Sequence, residues 1–379
     1  MSQDFVRRLP NAGLTAGRPS TLGEAFHLDW PIVGLTLLIC FYGLIVLFSA
    51  VDQQTAPVVA QTIKIGIATI VMVTMAQISP IFYLRLAPWL YGAGLILLVL
   101  VLAFGREING SQRWLRIPGV LNFQPSELMK LVLPMILAWY FHDRHLPPKL
   151  KHLFWAAVMI VTPVLLIARQ PDLGTALLIA SSGLLVVLLA GIPWRYVWAA
   201  IGAGLVTAPV LWFALRDYQK DRILTLFNPE RDPLGAGWNI IQSKTAIGSG
   251  GLFGKGLFQG TQSHLDFLPE SQTDFIIAVM GEELGLVGVV GLLLLYILLM
   301  GRGAVISVQA QDTFGRLLAG TITFTFFVYV FVNIGMVTGV LPVVGVPLPL
   351  VSYGGTSILT LFAGFGILMS IHTHRRITL

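Results

Sequence analysis

The 379-residue chain is 55% hydrophobic and 11% charged, with a formal charge of +6 and a mean hydropathy of +0.80. A water-soluble protein carries roughly a quarter charged residues, so a soluble globular chain is excluded and the bilayer is the solvent. The positive balance reads as cytoplasmic loops facing anionic lipid, not as a nucleic-acid surface; the single cysteine, Cys40, excludes an intramolecular disulfide.

Residues 1–30 are polar, hold Arg7, Arg8 and Arg18 without an apolar core, and read as a cytoplasmic tail with no cleavable signal. Apolar runs of about twenty residues cross the hydrocarbon core as helices. Ten are predicted, at 31–51, 57–78, 86–104, 124–141, 153–169, 173–191, 194–215, 273–300, 314–340 and 350–371. The fold class is therefore an all-α polytopic membrane protein with one integral domain over 31–371 and a short cytoplasmic tail at 372–379. Only Gln170-Pro171-Asp172 separates the fifth and sixth spans, which implies a tight reversal.

Lysine and arginine placement orients the bundle with both termini inside. The inner segments then hold twelve basic residues, among them Arg85, Arg144, Lys149, Arg302 and Arg316, whereas the short outer loops hold four: Arg106, Arg113, Arg116 and Arg169. The segment at about 216–272, between spans seven and eight, is an extracytoplasmic loop too long to be a simple connection. It keeps Phe227, Trp238, Phe253, Phe258, Phe267 and Leu268, which points to folding back on the bundle. No internal repeat is visible, which weakens an inverted-repeat transporter reading.

Ionisable groups in or beside a membrane span are expensive and are functional candidates by default. Those on the outer side include Lys64, Arg113, Arg116, Glu127, Lys130, Arg169, Asp172, Lys220, Arg222, Asp274, Glu282 and Glu283. Their basic excess suits a phosphate-bearing substrate. Asp274 opens the eighth span with Thr273 as a possible cap, a setting that would keep it ionised and able to accept a proton; simple capping is the alternative. Glu282 and Glu283 lie about 12–14 Å further along the helix and read as structural groups unless Gly281 or Gly285 breaks it. Glu127 and Lys130 share one helix face, either as an ion pair or with Lys130 turned toward phosphate and Glu127 orienting it. Trp114 reads equally as an interface anchor or a stacking platform, and Asp172 as a helix cap or a site carboxylate. The pairs His142/His145 and His372/His374 lack further ligands for a metal, and Gly248–Lys255 lacks the spacing of a phosphate loop. From the residues alone, transporter and glycosyltransferase stand level.

Several segments nevertheless run in the order of a known family. They are Gly110-Ser-Gln-Arg-Trp-Leu, Phe123-Gln-Pro-Ser-Glu-Leu-Met-Lys130, Gln170-Pro-Asp-Leu-Gly-Thr175, Asn228-Pro, Gly235-Ala-Gly-Trp-Asn239 and Gly254-Lys-Gly. They continue with Phe267-Leu-Pro-Glu-Ser-Gln-Thr-Asp274-Phe, Gly281-Glu-Glu-Leu-Gly285 and Pro349-Leu-Val-Ser-Tyr-Gly-Gly-Thr-Ser357. Across nearly the whole chain the sequence resembles the SEDS family (shape, elongation, division and sporulation proteins), and its short termini and last block look more like the elongation branch than the division branch. Met129 and Ile277 depart mildly from the family pattern.

That resemblance implies an inverting glycosyltransferase that polymerises peptidoglycan strands from lipid II, the undecaprenyl-pyrophosphate disaccharide-pentapeptide, in the bacterial cytoplasmic membrane. It places the catalytic residue at Asp274. Substrate-binding roles are expected at Arg113, Trp114, Arg116, Glu127, Lys130, Asp172 and Arg222, with Arg113, Arg116, Lys130 and Arg222 offsetting pyrophosphate charge. A divalent cation (Mg or Mn) with unassigned ligands would share that task, and no organic cofactor is expected. The implied partners are the nascent glycan strand, a class B penicillin-binding transpeptidase and other membrane proteins of the elongation complex. A lipid-linked precursor flippase and a non-catalytic scaffold for the transpeptidase are the rival readings.

Overall fold

A computed structural model describes residues 26–108, 111–116, 122–214, 217–228, 236–264 and 270–374. The two terminal tails and the 229–235 and 265–269 parts of the long loop, with Gly235, Phe267 and Leu268, lie outside the described residues, as do 109–110, 117–121 and 215–216.

Among the described residues, ten long helices match the ten predicted spans: α1 (Trp30–Ala50), α2 (Thr55–Gln77), α3 (Pro80–Phe104), α4 (Pro125–His142), α5 (Leu150–Arg169), α6 (Leu173–Leu189), α7 (Trp194–Ala214), then, beyond the long loop, α11 (Ile276–Gln309), α12 (Thr313–Val337) and α13 (Thr356–Thr373). Seven of them are long and apolar enough by themselves to cross a membrane. Of the others, α4 opens on the polar run Pro-Ser-Glu-Leu-Met-Lys and is buried along most of its length, so neighbouring helices rather than lipid solvate it.

Three boundaries differ from expectation for local reasons. Helix α3 begins at Pro80, not 86, because proline at the first helical position lacks only an N–H that would be unpaired anyway. Helix α13 begins at 356, not 350: Leu350 has φ 66° and Gly354-Gly355 follow, so 338–355 form a re-entrant loop instead. Helix α11 runs on to Gln309 and is broken at Gly285, where φ 67° and ψ −165° leave the helical region.

The core is built by α4 against α3, α6 and α12, with α11 packed on α12 and α1, and α13 along α2. Helix α7 is exposed along nearly all its described length, with Trp198, Leu205, Val206 and Phe213 outward. The outer loop between α3 and α4 forms a short antiparallel sheet in the order β1 (Arg106–Ile108), β2 (Ser111–Arg116), β3 (Asn122–Phe123), which the helical reading did not foresee.

The described part of the long loop does fold back. It supplies α8 (Asp217–Phe227), α9 (Ala236–Gly250) and the single turn α10 (Thr261–His264), with α9 lying against α11. The contact depends on the absence of side chains. A Cβ on Gly254 (φ 78°) would stand 2.1 Å from the Glu283 carbonyl oxygen, and one on Gly285 2.3 Å from the Gly254 nitrogen. Backbone bonds from Lys255 N to Glu282 O and from Leu286 N to Gly251 O seal the break.

Candidate active site

Asp274 does not cap α11. The helix begins two residues later with Phe275 as its N-cap and no side-chain capping bond, while the Thr273 hydroxyl donates to Glu270 instead. Asp274 therefore sits in the turn that precedes the helix, facing Gly345 of the re-entrant loop, where a Cβ would lie 3.5 Å from Asp274 Oδ2. The helix-terminus setting expected for it is therefore not the one the fold builds. Burial, followed by the Glu270 charge, pushes its carboxyl up to about 6, against the opposing pull of the Arg222 guanidinium on α8. Arg222 is thus the predicted cation that the fold sets toward Asp274.

The second part of the site is a cavity between α4, α12, α13 and the re-entrant loop, with a mainly apolar lining that also holds Glu127, Lys130, Thr325, Tyr329, Ser352 and Ser357. Lys130 is paired with Glu127, three residues earlier on α4, and its ammonium lies 4.9 Å from the Tyr329 ring centroid. Glu127 Oε2 and Thr325 Oγ1 are buried without a hydrogen-bond partner. Of the two readings of this pair, the ion pair is the one the fold builds, and Lys130 enters the cavity wall as half of it.

Arg113 on β2 is engaged in the same way. Its guanidinium is 3.4 Å from Asp172 and donates to the Pro171 carbonyl. Asp172 also accepts from Thr175 N as the cap of α6 and from Gln124 Nε2, and Gln124 is the residue that precedes α4. Capping and pairing at Asp172 are thus both real. Trp114 is half-buried on β2; Arg116 ends the same strand, and its side chain lies outside the described residues. Lys64 stacks on the Tyr353 ring at 3.8 Å.

Helix α12 joins the two parts. Tyr329, beside Lys130, and Asn333, whose amide donates to the Asp274 carbonyl at 2.9 Å, are one turn apart on one face, about 6 Å along the axis. Asn333 and Ser352 were missed by the sequence reading. A polar residue in the apolar run 324–337 was the available signal for Asn333. Glu282 and Glu283 do not join Asp274: the helix breaks beyond them, and they bind Lys255, Thr261 and Gln262, and Ser49, respectively.

Fold and site together define a multi-pass membrane protein with a half-buried acid ahead of one helix and a largely apolar cavity whose wall carries the Glu127–Lys130 pair. The family model of FtsW/RodA/SpoVE cell cycle proteins matches residues 29–377. The peptidoglycan glycosyltransferase MrdB of Escherichia coli K12 is 52% identical over 357 residues, which cover 94% of this chain and 96% of that protein. A Geobacter metallireducens protein named "Probable peptidoglycan glycosyltransferase FtsW" is 40% identical over 74% of this chain and 75% of its own length. Among solved structures, a chain from work on the structural coordination of polymerization and crosslinking by a peptidoglycan synthase complex superposes with a TM-score of 0.80 at 34% identity, covering 91% of this chain and 97% of that one. The Thermus thermophilus rod shape determining protein RodA gives 0.70 at 31% identity, over 92% and 98%. The chain belongs to the FtsW/RodA/SpoVE family, the SEDS proteins.

Proposed function

We propose that this chain is a peptidoglycan glycosyltransferase that extends glycan strands from lipid II, with Asp274 as the general base. The observation that carries the reading is a carboxyl pushed up to about 6 in a turn held by Asn333 and by Ser352, the latter a residue of the cavity wall. A base is most useful when its pKa lies near the working pH, since it is then largely ionised yet still a competent proton acceptor. In the reaction, the attacking sugar hydroxyl gives its proton to Asp274 as its oxygen bonds the donor's anomeric carbon. The bond from that carbon to the pyrophosphate breaks on the opposite face, which inverts the configuration. Lipid pyrophosphate leaves as an anion and needs no second acid.

Arg222, whose charge acts on Asp274, is the cationic support in this reading, with Arg116 and the engaged cations Arg113 and Lys130 contributing to the field over the donor pyrophosphate. Trp114, Glu127 and Asp172 complete the substrate-binding set. A divalent cation, Mg or Mn, would add charge at the pyrophosphate. Among the described residues no group of three His, Cys, Asp or Glu side chains is placed to hold one. A class B penicillin-binding transpeptidase is the proposed partner, in line with the polymerization and crosslinking coordinated in the related synthase complex. The likeness to the rod shape determining protein favours cell elongation, in the cytoplasmic membrane with both termini inside.

The test is lipid II polymerisation by the purified protein with its transpeptidase, wild type against Asp274→Asn. Polymer from wild type and none from an intact, assembled variant supports the base. Equal polymer from both removes it, and none from either returns the flippase and scaffold readings.

A further inference from the structure

The turn that carries Asp274 is held by three consecutive backbone carbonyls. Gln272 O accepts from Tyr353 N at 2.9 Å, Thr273 O accepts from the Ser352 hydroxyl, and Asp274 O accepts from Asn333 Nδ2 at 2.9 Å. Asn333 uses its second amide hydrogen on Val346 O at 2.7 Å. One side chain of α12 thereby ties the Asp274 turn to the re-entrant loop, next to Gly345, which faces the Asp274 carboxyl.

The orientation of this amide follows from its partners. Both are carbonyl oxygens, and turning the amide over would set oxygen against oxygen at both contacts. Asn333 is fully buried, and its Oδ1 is left without a hydrogen-bond partner. Packing alone gives no reason to keep such a group in an apolar helix, where an aliphatic residue would avoid the orphaned acceptor. The two carbonyls supply the reason.

We infer that Asn333 is a positioning residue for Asp274, fixing the catalytic carboxyl against the re-entrant loop by clamping the backbone of its turn. This rests on the reading of Asp274 as the base. With the clamp in place, Asp274 stays half-buried against Gly345, faced by Glu270 on its own turn and by Arg222 on α8. Helix α12 and the re-entrant loop bring amide, hydroxyl and backbone groups to it. Without the clamp the turn is released at its third carbonyl, and the carboxyl gains water and loses alignment with the attacking hydroxyl.

The experiment uses the full chain with its transpeptidase in lipid, comparing wild type, Asn333→Leu and Asp274→Asn. Two quantities are read: the pH–rate profile of polymerisation and an infrared titration of the Asp274 carboxyl, identified by its absence in Asp274→Asn. Asn333→Leu is expected to lower kcat about ten- to a hundredfold with little change in KM. It should also move both the infrared midpoint and the acid limb of the rate from about 6 toward the ordinary 3.8. A merely structural role would lower yield and leave both midpoints in place, and that result overturns the inference while the base reading stands. Full activity in Asp274→Asn sinks the base reading instead, and the infrared midpoint of Asn333→Leu still decides whether Asn333 sets the carboxyl's surroundings. If Asn333→Leu does not assemble, Asn333→Ser, which keeps one donor, is read by the same criterion.

Discussion

Glu283 of α11 accepts the Ser49 hydroxyl of α1 at 2.6 Å, and the Phe258 N–H donates to the same Ser49 oxygen at 3.3 Å. One residue earlier, the fully buried Glu282 gathers Lys255 Nζ at 2.7 Å, Thr261 N at 2.8 Å and Gln262 N at 3.0 Å. These two carboxylates fasten the long loop to the far end of the helical segment that follows the Asp274 turn. Removing one partner of a buried pair leaves the other uncompensated, so Glu282→Ala is expected to destabilise the protein by about 3 kcal/mol. Thermal unfolding in detergent checks this, and a variant with the wild-type midpoint would contradict the latch.

Asp274 should make the protein less stable at neutral pH than it would be with a neutral isostere. Its folded pKa, about 6, lies above the ordinary 3.8, so the folded state holds the proton more tightly than the unfolded chain does. Stability is then highest below pH 4 as far as this group is concerned and falls as pH rises through about 6. The difference is on the order of 2–3 kcal/mol at pH 7. Asp274→Asn is therefore expected to raise the unfolding midpoint at pH 7–8 and to have little effect near pH 4, while abolishing polymerisation. In wild type the rate should climb with pH and level off above about 6. A variant no more stable than wild type at any pH would show that the carboxyl is not held in a costly environment.

How far the sequence carried this reading differs between scaffold and site. The spans were legible because a membrane helix must satisfy its own backbone over some twenty apolar residues, a constraint local to each segment. That locality fails at 338–355, an apolar stretch that reads as the end of one span and the start of another but folds as a loop with Leu350 at positive φ. The site residues could be nominated singly, since charges such as Lys130 and Asp274 stand out in apolar surroundings. Their pairings could not, because Arg113 with Asp172 and Asn333 with Asp274 each join positions about sixty residues apart. The raised Asp274 pKa was likewise hidden, since it depends first on burial and then on the Glu270 charge, with Arg222 from a separate element opposing both.

At the opposite end of the bundle, Asp29 fixes the start of α1 to α11 and α13. It caps α1 through Ile32 N and pairs with Arg302 and with His372 at 3.0 Å. Burial opposes its charge, but the His372 and Arg302 hydrogen bonds overcome that and hold the carboxyl well below the usual range. A depressed folded pKa gives stability that is present above the unfolded value and lost as pH falls below it. Asp29→Ala is expected to lose about 3 kcal/mol at pH 7 and much less only at about pH 1, where the folded carboxyl also protonates, with polymerisation per folded molecule retained. Unfolding midpoints at the two pH values check the first point, and an equal loss at both would show that packing rather than charge holds this junction.

The Glu127–Lys130 pair allows a cleaner separation of structure from chemistry. Both side chains are nearly buried at the cavity wall, so each single neutralisation leaves an uncompensated charge. Glu127→Gln and Lys130→Met are each expected to destabilise by about 3–5 kcal/mol, and the double variant by clearly less than their sum. If the pair only holds α4, the double variant regains polymerisation together with stability. If Lys130 also contributes to the field over the pyrophosphate, stability returns and activity does not, because no neutral residue restores that charge. Unfolding midpoints and lipid II turnover on the four proteins decide between these outcomes. We expect stability to recover without activity, since the pair borders the cavity beneath Tyr329, one turn from the Asn333 that holds Asp274.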